Sequence, residues 1–299
     1  MSDSQKFTIN PKEIRTFILQ LLRSRLDDKV YQWIQSYSNN LLKDWEEWEF
    51  YSSFSAVPRY VGKNKLKLSD EEQQMAQKIR SGWEPQEWTV DEISRTLLVL
   101  SIAEGKKEKF LDTLDKTFIS SDIGEAIALY KSLAVLPYPN ALQNRAVEGI
   151  RSNMTSLFNA MALDNPYPAD YFGEGAWNQL VLKALFVGSP LYKIQGIDRR
   201  RNKKLANMLV DYAHERWAAD RSVSPELWRP VGPFADGVII QDLKKVLDHP
   251  DKLQNQAAIL ALSESSSDKA KSLINSHKSM SDKVNNQITW DEIGRKLND

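Results

Sequence analysis

The stretch TVDEISRTLLVL, residues 89–100, decides the fold class. Thr89 has a short side chain that can accept from a free N–H at the start of a helix. Glu92 stands three residues on, where its carboxylate reaches back, and an apolar run follows. The signature recurs at Ser69 with Glu72, Asp122 with Glu125, Asn140 with Gln143 and Thr289 with Glu292. Asn10-Pro11 adds proline at a first helical position. These caps and the apolar spacing behind them predict helices over 11–25, 28–37, 40–55, 70–81, 90–103, 106–118, 123–135, 141–161, 175–187, 202–219, 235–247, 251–262, 266–276 and 290–297. No alternating run with hairpin turns interrupts them, so the chain reads as all-α.

From residue 235 onward the predicted helices are short and paired, as in DGVIIQDLKKVLDHP followed by DKLQNQAAILALSESSS. Pairs of this kind bury their apolar stripes against the next pair, which predicts a HEAT-like α-α superhelix. One helical domain is expected over 1–262, with subdomains at 10–135 and 136–262. Residues 263–299 would add C-terminal helices, a polar link over Lys278–Gln287 and a loosely docked last helix.

Composition narrows the function. The 299 residues are 41% hydrophobic and carry 40 basic and 40 acidic side chains, so no net charge draws the chain to a nucleic acid. There is no cysteine, which removes disulfides, thiolate zinc sites and cysteine nucleophiles and fits a reducing compartment. No apolar run approaches the roughly 18 residues of a membrane span, and the N-terminus has no signal-peptide pattern. The cytoplasm is the expected location. Five of the nine tryptophans, at 33, 45, 48, 83 and 88, fall in the N-terminal third, either as core filler or as an aromatic-lined groove.

Polar residues of chemical interest concentrate between Trp177 and Phe234. The 175–187 helix is apolar nearly all round and leaves Asn178, Gln179 and Lys183 as a narrow strip. Lys183 either snorkels to water or, if held dry, has a depressed pKa and becomes a nucleophile or an anion contact. On the 202–219 helix, Leu205, Met208, Leu209, Tyr212, Ala213 and Trp217 form an apolar arc with Arg216 inside it. A guanidinium there has to be met by a carboxylate, backbone carbonyls or a ligand anion. Asp211, His214 and Glu215 share the opposite face, as a carboxylate-oriented base or as a solvated surface. Nothing in the sequence completes a metal set with them, so no metal and no cofactor are expected. Arg199, Arg200 and Arg201 precede the same helix, where its N-terminus favours an anion; a solvated charge run is the alternative.

Five segments also resemble a known family: FSAVPRYVGK at 54–63, GWEPQEWTVDEISRTLLVL at 82–100, NQLVLKALFVGSPLYKIQGID at 178–198, YAHERWAADR at 212–221 and PELWRPVGPF at 225–234. They are similar to the EboA family, encoded in the ebo gene cluster of cyanobacteria, other bacteria and algae, and the resemblance covers residues 10–262. It implies an accessory protein of secondary-metabolite biosynthesis or precursor transport that binds a small-molecule intermediate or another ebo-cluster protein. The family has no assigned reaction, so no catalytic residue carries over. Lys183, Tyr212, His214, Glu215, Arg216, Trp228 and Arg229 are candidate ligand-binding positions because they fall in its motifs. The alternative function is an enzyme acting on a prenylated or phosphorylated intermediate.

Overall fold

A computed structural model describes residues 9–277 and 288–298, and the polar link read over Lys278–Gln287 lies outside them. Among the described residues every regular element is helical; a single isolated bridge joins Lys65 to Thr89. The chain divides into two units, 1–172 and 173–299. The helix at Thr155–Ala162 packs on Ile123–Ser132 and keeps the intervening chain in the first unit.

The first unit is built round the stretch that announced the fold. Val90–Ile102 (α5) starts with the capping box of Thr89 and Glu92, and all of its residues are buried. Pro11–Arg23 (α1), Asp28–Asn40 (α2), Glu47–Val61 (α3) and Ile123–Ser132 (α7) pack around it. A fully buried helix that carries Asp91, Glu92 and Arg95 has to neutralise them internally. Arg95 bonds Asp91 at 3.0 Å and the Phe54 carbonyl at 3.2 Å, while Glu92 takes Lys131 at 2.7 Å. Asp70–Ile79 (α4), Lys107–Ser120 (α6), Gln143–Arg151 (α8), Thr155–Ala162 (α9) and Tyr167–Tyr171 (α10) complete the unit.

Two predicted elements differ. The helix expected over 40–55 begins at Glu47, because Glu46 makes a capping box with Glu49 although glutamate is not a usual N-cap. The one expected over 141–161 is two helices, since the Ser152 hydroxyl accepts the Met154 N–H at 3.1 Å and turns the chain. The tryptophans are mainly core: Trp45, Trp83 and Trp88 are buried, Trp33 stacks on Tyr60 at 4.1 Å, and Trp48 is exposed.

The second unit contains Glu174–Val187 (α11), Lys203–Ala218 (α12), Gly237–Leu247 (α13), Lys252–Ser263 (α14), Asp268–Ser276 (α15) and Trp290–Asn298 (α16), with short 3-10 turns at Leu191–Lys193 and Pro225–Trp228. The last helix is firmly seated, contrary to expectation. Trp290, Ile293 and Gly294 are buried, and a side chain at Gly294 would place its Cβ 2.7 Å from Glu226 Oε1. No helix among the described residues is long and apolar enough to cross a membrane.

Candidate functional site

Helices α11 and α12 pack against each other, as an apolar helix beside a polar loop requires. Their contact is pinned by two amides. Asn202 caps α12 by accepting from the Leu205 N–H at 2.8 Å, and its side-chain amide donates to Asn178 Oδ1 at 2.9 Å. One of the polar residues on α11 is thereby accounted for. Lys183, farther along, is half-buried, and that burial lowers its ammonium pKa.

The arginine run ahead of α12 does not act as one group. Arg201 forms ion pairs with Asp198 and Glu264, Arg200 lies 4.9 Å over the Trp177 ring, and Arg199 is exposed. Arg229 is only 7% exposed and makes a fork on Asp198 at 2.9 and 2.7 Å, with a third bond to Asp291 on α16 at 2.7 Å. Burial works against its charge, but the two carboxylates prevail and raise its pKa. Burial also pushes Asp198 upward, yet Arg229 and Arg201 outweigh it, so that carboxyl ends below its ordinary value.

Beside this network Glu226 is 2% exposed and accepts the Leu191 and Tyr192 N–H groups at 3.1 and 2.7 Å. Burial raises its pKa. Trp228 is fully buried and stacks with Trp217 at 6.0 Å. The PELWR segment is thus a charged and aromatic anchor that α16 closes, with Trp290 Nε1 donating to Glu264 at 2.8 Å. Sequence reading missed this role for α16. Its capping box and its tryptophan were visible, but the carboxylate and glycine that match this surface have no local signature.

On the other side of α12, His214 Nε2 lies 2.7 Å from Asp242 Oδ2, a carboxylate 3% exposed on α13. Asp211 and Glu215, which the helical wheel placed on the same face, are exposed. The imidazole therefore joins a carboxylate from the next helix rather than its neighbours in sequence. Among the described residues no three His, Asp or Glu side chains gather as a metal-holding group.

Arg216 is not buried among apolar side chains as its wheel position suggested; it is half-buried at the end of α12. The helix stops in a Schellman turn, with Asp220 in the left-handed region at φ 53°, Arg221 N–H bonded to the Arg216 carbonyl at 2.9 Å and Asp220 N–H to that of Trp217 at 3.1 Å. The returning chain brings the Ser222 carbonyl to Arg216 Nε at 3.0 Å. Among the described residues no carboxylate pairs with this guanidinium.

Arg216 lines an open groove of about 540 Å³ with Tyr212, Phe186, Val223, Gln254 and Leu297, together with neighbouring residues of α11 and the 222–225 loop. The Gln254 amide fixes that loop by donating to the Val223 carbonyl at 2.7 Å. Of the candidate residues, Tyr212 and Arg216 meet in the groove. Trp228 and Arg229 lie in the anchor, His214 and Glu215 lie on a different face, and Lys183 is not among the groove's lining residues.

No match is found among curated proteins or among solved structures. A family model described as "Metabolite traffic protein EboA" matches residues 14–232, a span that includes the PELWR anchor and the Arg216 turn, and the chain belongs to the EboA family.

Proposed function

We propose that this chain is an accessory binding protein of metabolite traffic, holding a small-molecule intermediate of a secondary-metabolite gene cluster, or presenting it to a partner enzyme, without transforming it. The observation that carries this reading is the open groove of about 540 Å³ in which the Arg216 guanidinium meets the exposed side chains of Phe186 and Leu297. In this reading Tyr212 and Arg216 contact the ligand, while Trp228 and Arg229 hold the loop that forms one side of it. Arg199, exposed ahead of α12, is the candidate contact for an acidic partner surface. The packing of α13 and α15 on α14 supports a HEAT-like superhelical arrangement. The lack of cysteine supports a reducing compartment, the cytoplasm.

Mass spectrometry of protein purified from its native host tests the proposal. A compound retained by the wild type should be lost from Phe186→Ser and Arg216→Gln variants, and should be missing from protein made without the rest of the cluster. If the native protein retains nothing above buffer controls, the binding reading is wrong.

The second reading, an enzyme acting on a prenylated or phosphorylated intermediate, draws on His214 and Asp242. A half-exposed imidazole oriented by a buried carboxylate is the arrangement of a general base. Turnover of the retained compound that stops in His214→Gln would favour it; turnover unchanged in that variant would exclude His214 as the base.

A further inference from the structure

We infer that the groove takes an organic monoanion with an apolar body, its single carboxylate or sulfate head on Arg216 and its body along Phe186 and Leu297. The inference rests on the binding function proposed above and adds the ligand's charge and shape.

The charge follows from the contrast with Arg201 and Arg229. Arg201 and Arg229 each meet two carboxylates, whereas Arg216 has a single backbone carbonyl on Nε. Anchoring Nε leaves the two terminal nitrogens as a parallel pair of donors, the edge that matches two oxygens of one anionic head. The Schellman turn fixes both ends of this contact, since it positions Arg216 and Ser222 together. The fork is therefore oriented before any ligand arrives, which reduces the ordering cost of binding.

Head size follows from the rest of the wall. Arg216 is the cation among the described lining residues, and Asp251 supplies a carboxylate to the same groove, where it also caps α14 through the Leu253 N–H at 2.8 Å. A groove lined by one guanidinium and one carboxylate disfavours a diphosphate, which would bring uncompensated negative charge to a wall that already carries Asp251.

The body follows from exposed apolar surface. Phe186 is 74% exposed and Leu297 42% exposed, and Leu185, Val187 and Pro225 line the same groove. Large side chains left in water and converging on one concave surface mark a place where apolar area is covered by something else. Leu297 belongs to α16, so the terminal helix that closes the PELWR anchor also supplies one side of the groove.

Calorimetric titration of the full chain with decanoate, decan-1-ol, decyltrimethylammonium and inorganic phosphate, each below its aggregation limit, tests the inference. Decanoate should bind at least tenfold more tightly than decan-1-ol, and the cation and phosphate should not bind. Arg216→Gln should bring decanoate to the level of decan-1-ol, Arg216→Lys should retain part of the preference, and Phe186→Ser should weaken both. Equal affinity for acid and alcohol, or an unchanged preference in Arg216→Gln, overturns it. So does Arg216-dependent sedimentation with phosphatidylglycerol vesicles in the absence of decanoate binding, which would make the anion a lipid headgroup. If native protein retains a neutral or cationic compound, the binding function stands and the monoanion falls; if it retains nothing and no probe binds, both fall.

Discussion

Arg229 and Arg216 lie on either side of the same loop, and the protein treats them in opposite ways. Arg229 is buried in a network with Asp198 and Asp291, with each of its three guanidinium nitrogens donating to one of these carboxylates. Arg216 is half-buried, touches one carbonyl and lines an open groove. Charge placed for stability is neutralised by carboxylates brought from distant segments, because a stranded buried charge costs several kcal/mol. Charge at the groove is held in position by its own turn and faces solvent on its remaining edge. That contrast predicts a costly substitution in the first region and a tolerated one in the second.

The largest effect tests the anchored half of that contrast. Arg229→Met removes the shared partner of Asp198 and Asp291, two half-exposed carboxylates of which Asp198 keeps Arg201, and calorimetric unfolding should show a loss of about 2–3 kcal/mol. A loss below about 1 kcal/mol would mean the network is merely a set of surface pairs.

Gly294→Ala should cost less, about 1–3 kcal/mol, by forcing a methyl group against Tyr192 and Glu226. The damage should be local. Limited proteolysis is expected to cut at the base of α16 faster than at α12, and equal rates at both places would count against a separately seated terminal helix.

A pH series sharpens the comparison further. Asp198 has a lowered pKa in the folded chain, so its stabilising contribution is present above the ordinary carboxylate value and is lost as pH falls through the folded one. Wild-type melting temperature should therefore decline on acidification more steeply than that of Asp198→Asn. Glu226 has the opposite sign. Its raised pKa means that the stability it contributes is present at lower pH and is lost as pH rises through the folded value.

The smallest change in stability is expected at the groove. Arg216→Met should alter unfolding free energy by no more than about 0.5 kcal/mol, as substitutions away from the core do. A loss comparable with that of Arg229→Met would place Arg216 in the structural network and remove the basis of the ligand assignment.

Much of the fold was legible because helix starts are local. Thr89 with Glu92, Ser69 with Glu72 and Asp122 with Glu125 all form the capping boxes that their spacing predicts. The misplaced start at Glu47 and the unread break after Arg151 share one cause: the deciding contacts are made by Glu46, which is not a usual N-cap, and by Ser152, a residue that also occurs inside helices, so neither type alone marks a boundary. The candidate site was legible only in part. The 212–229 segment is where the groove and its anchor lie, yet the helical wheel placed Arg216 in the core, because the wheel takes no account of a chain that turns back at Asp220.

By itself the sequence determined the helical class, the positions of most caps, the balanced charge and the absence of thiol chemistry, since each depends on residue identity or on neighbours within a turn. Tertiary structure decided which charges are neutralised and which are presented. Arg229 finds its carboxylates 31 and 62 residues away, whereas Arg216 finds its carbonyl 6 residues on. Periodicity records what shares a face of one helix; pairing over such separations is set by which helices pack together, and only the packed chain contains that information.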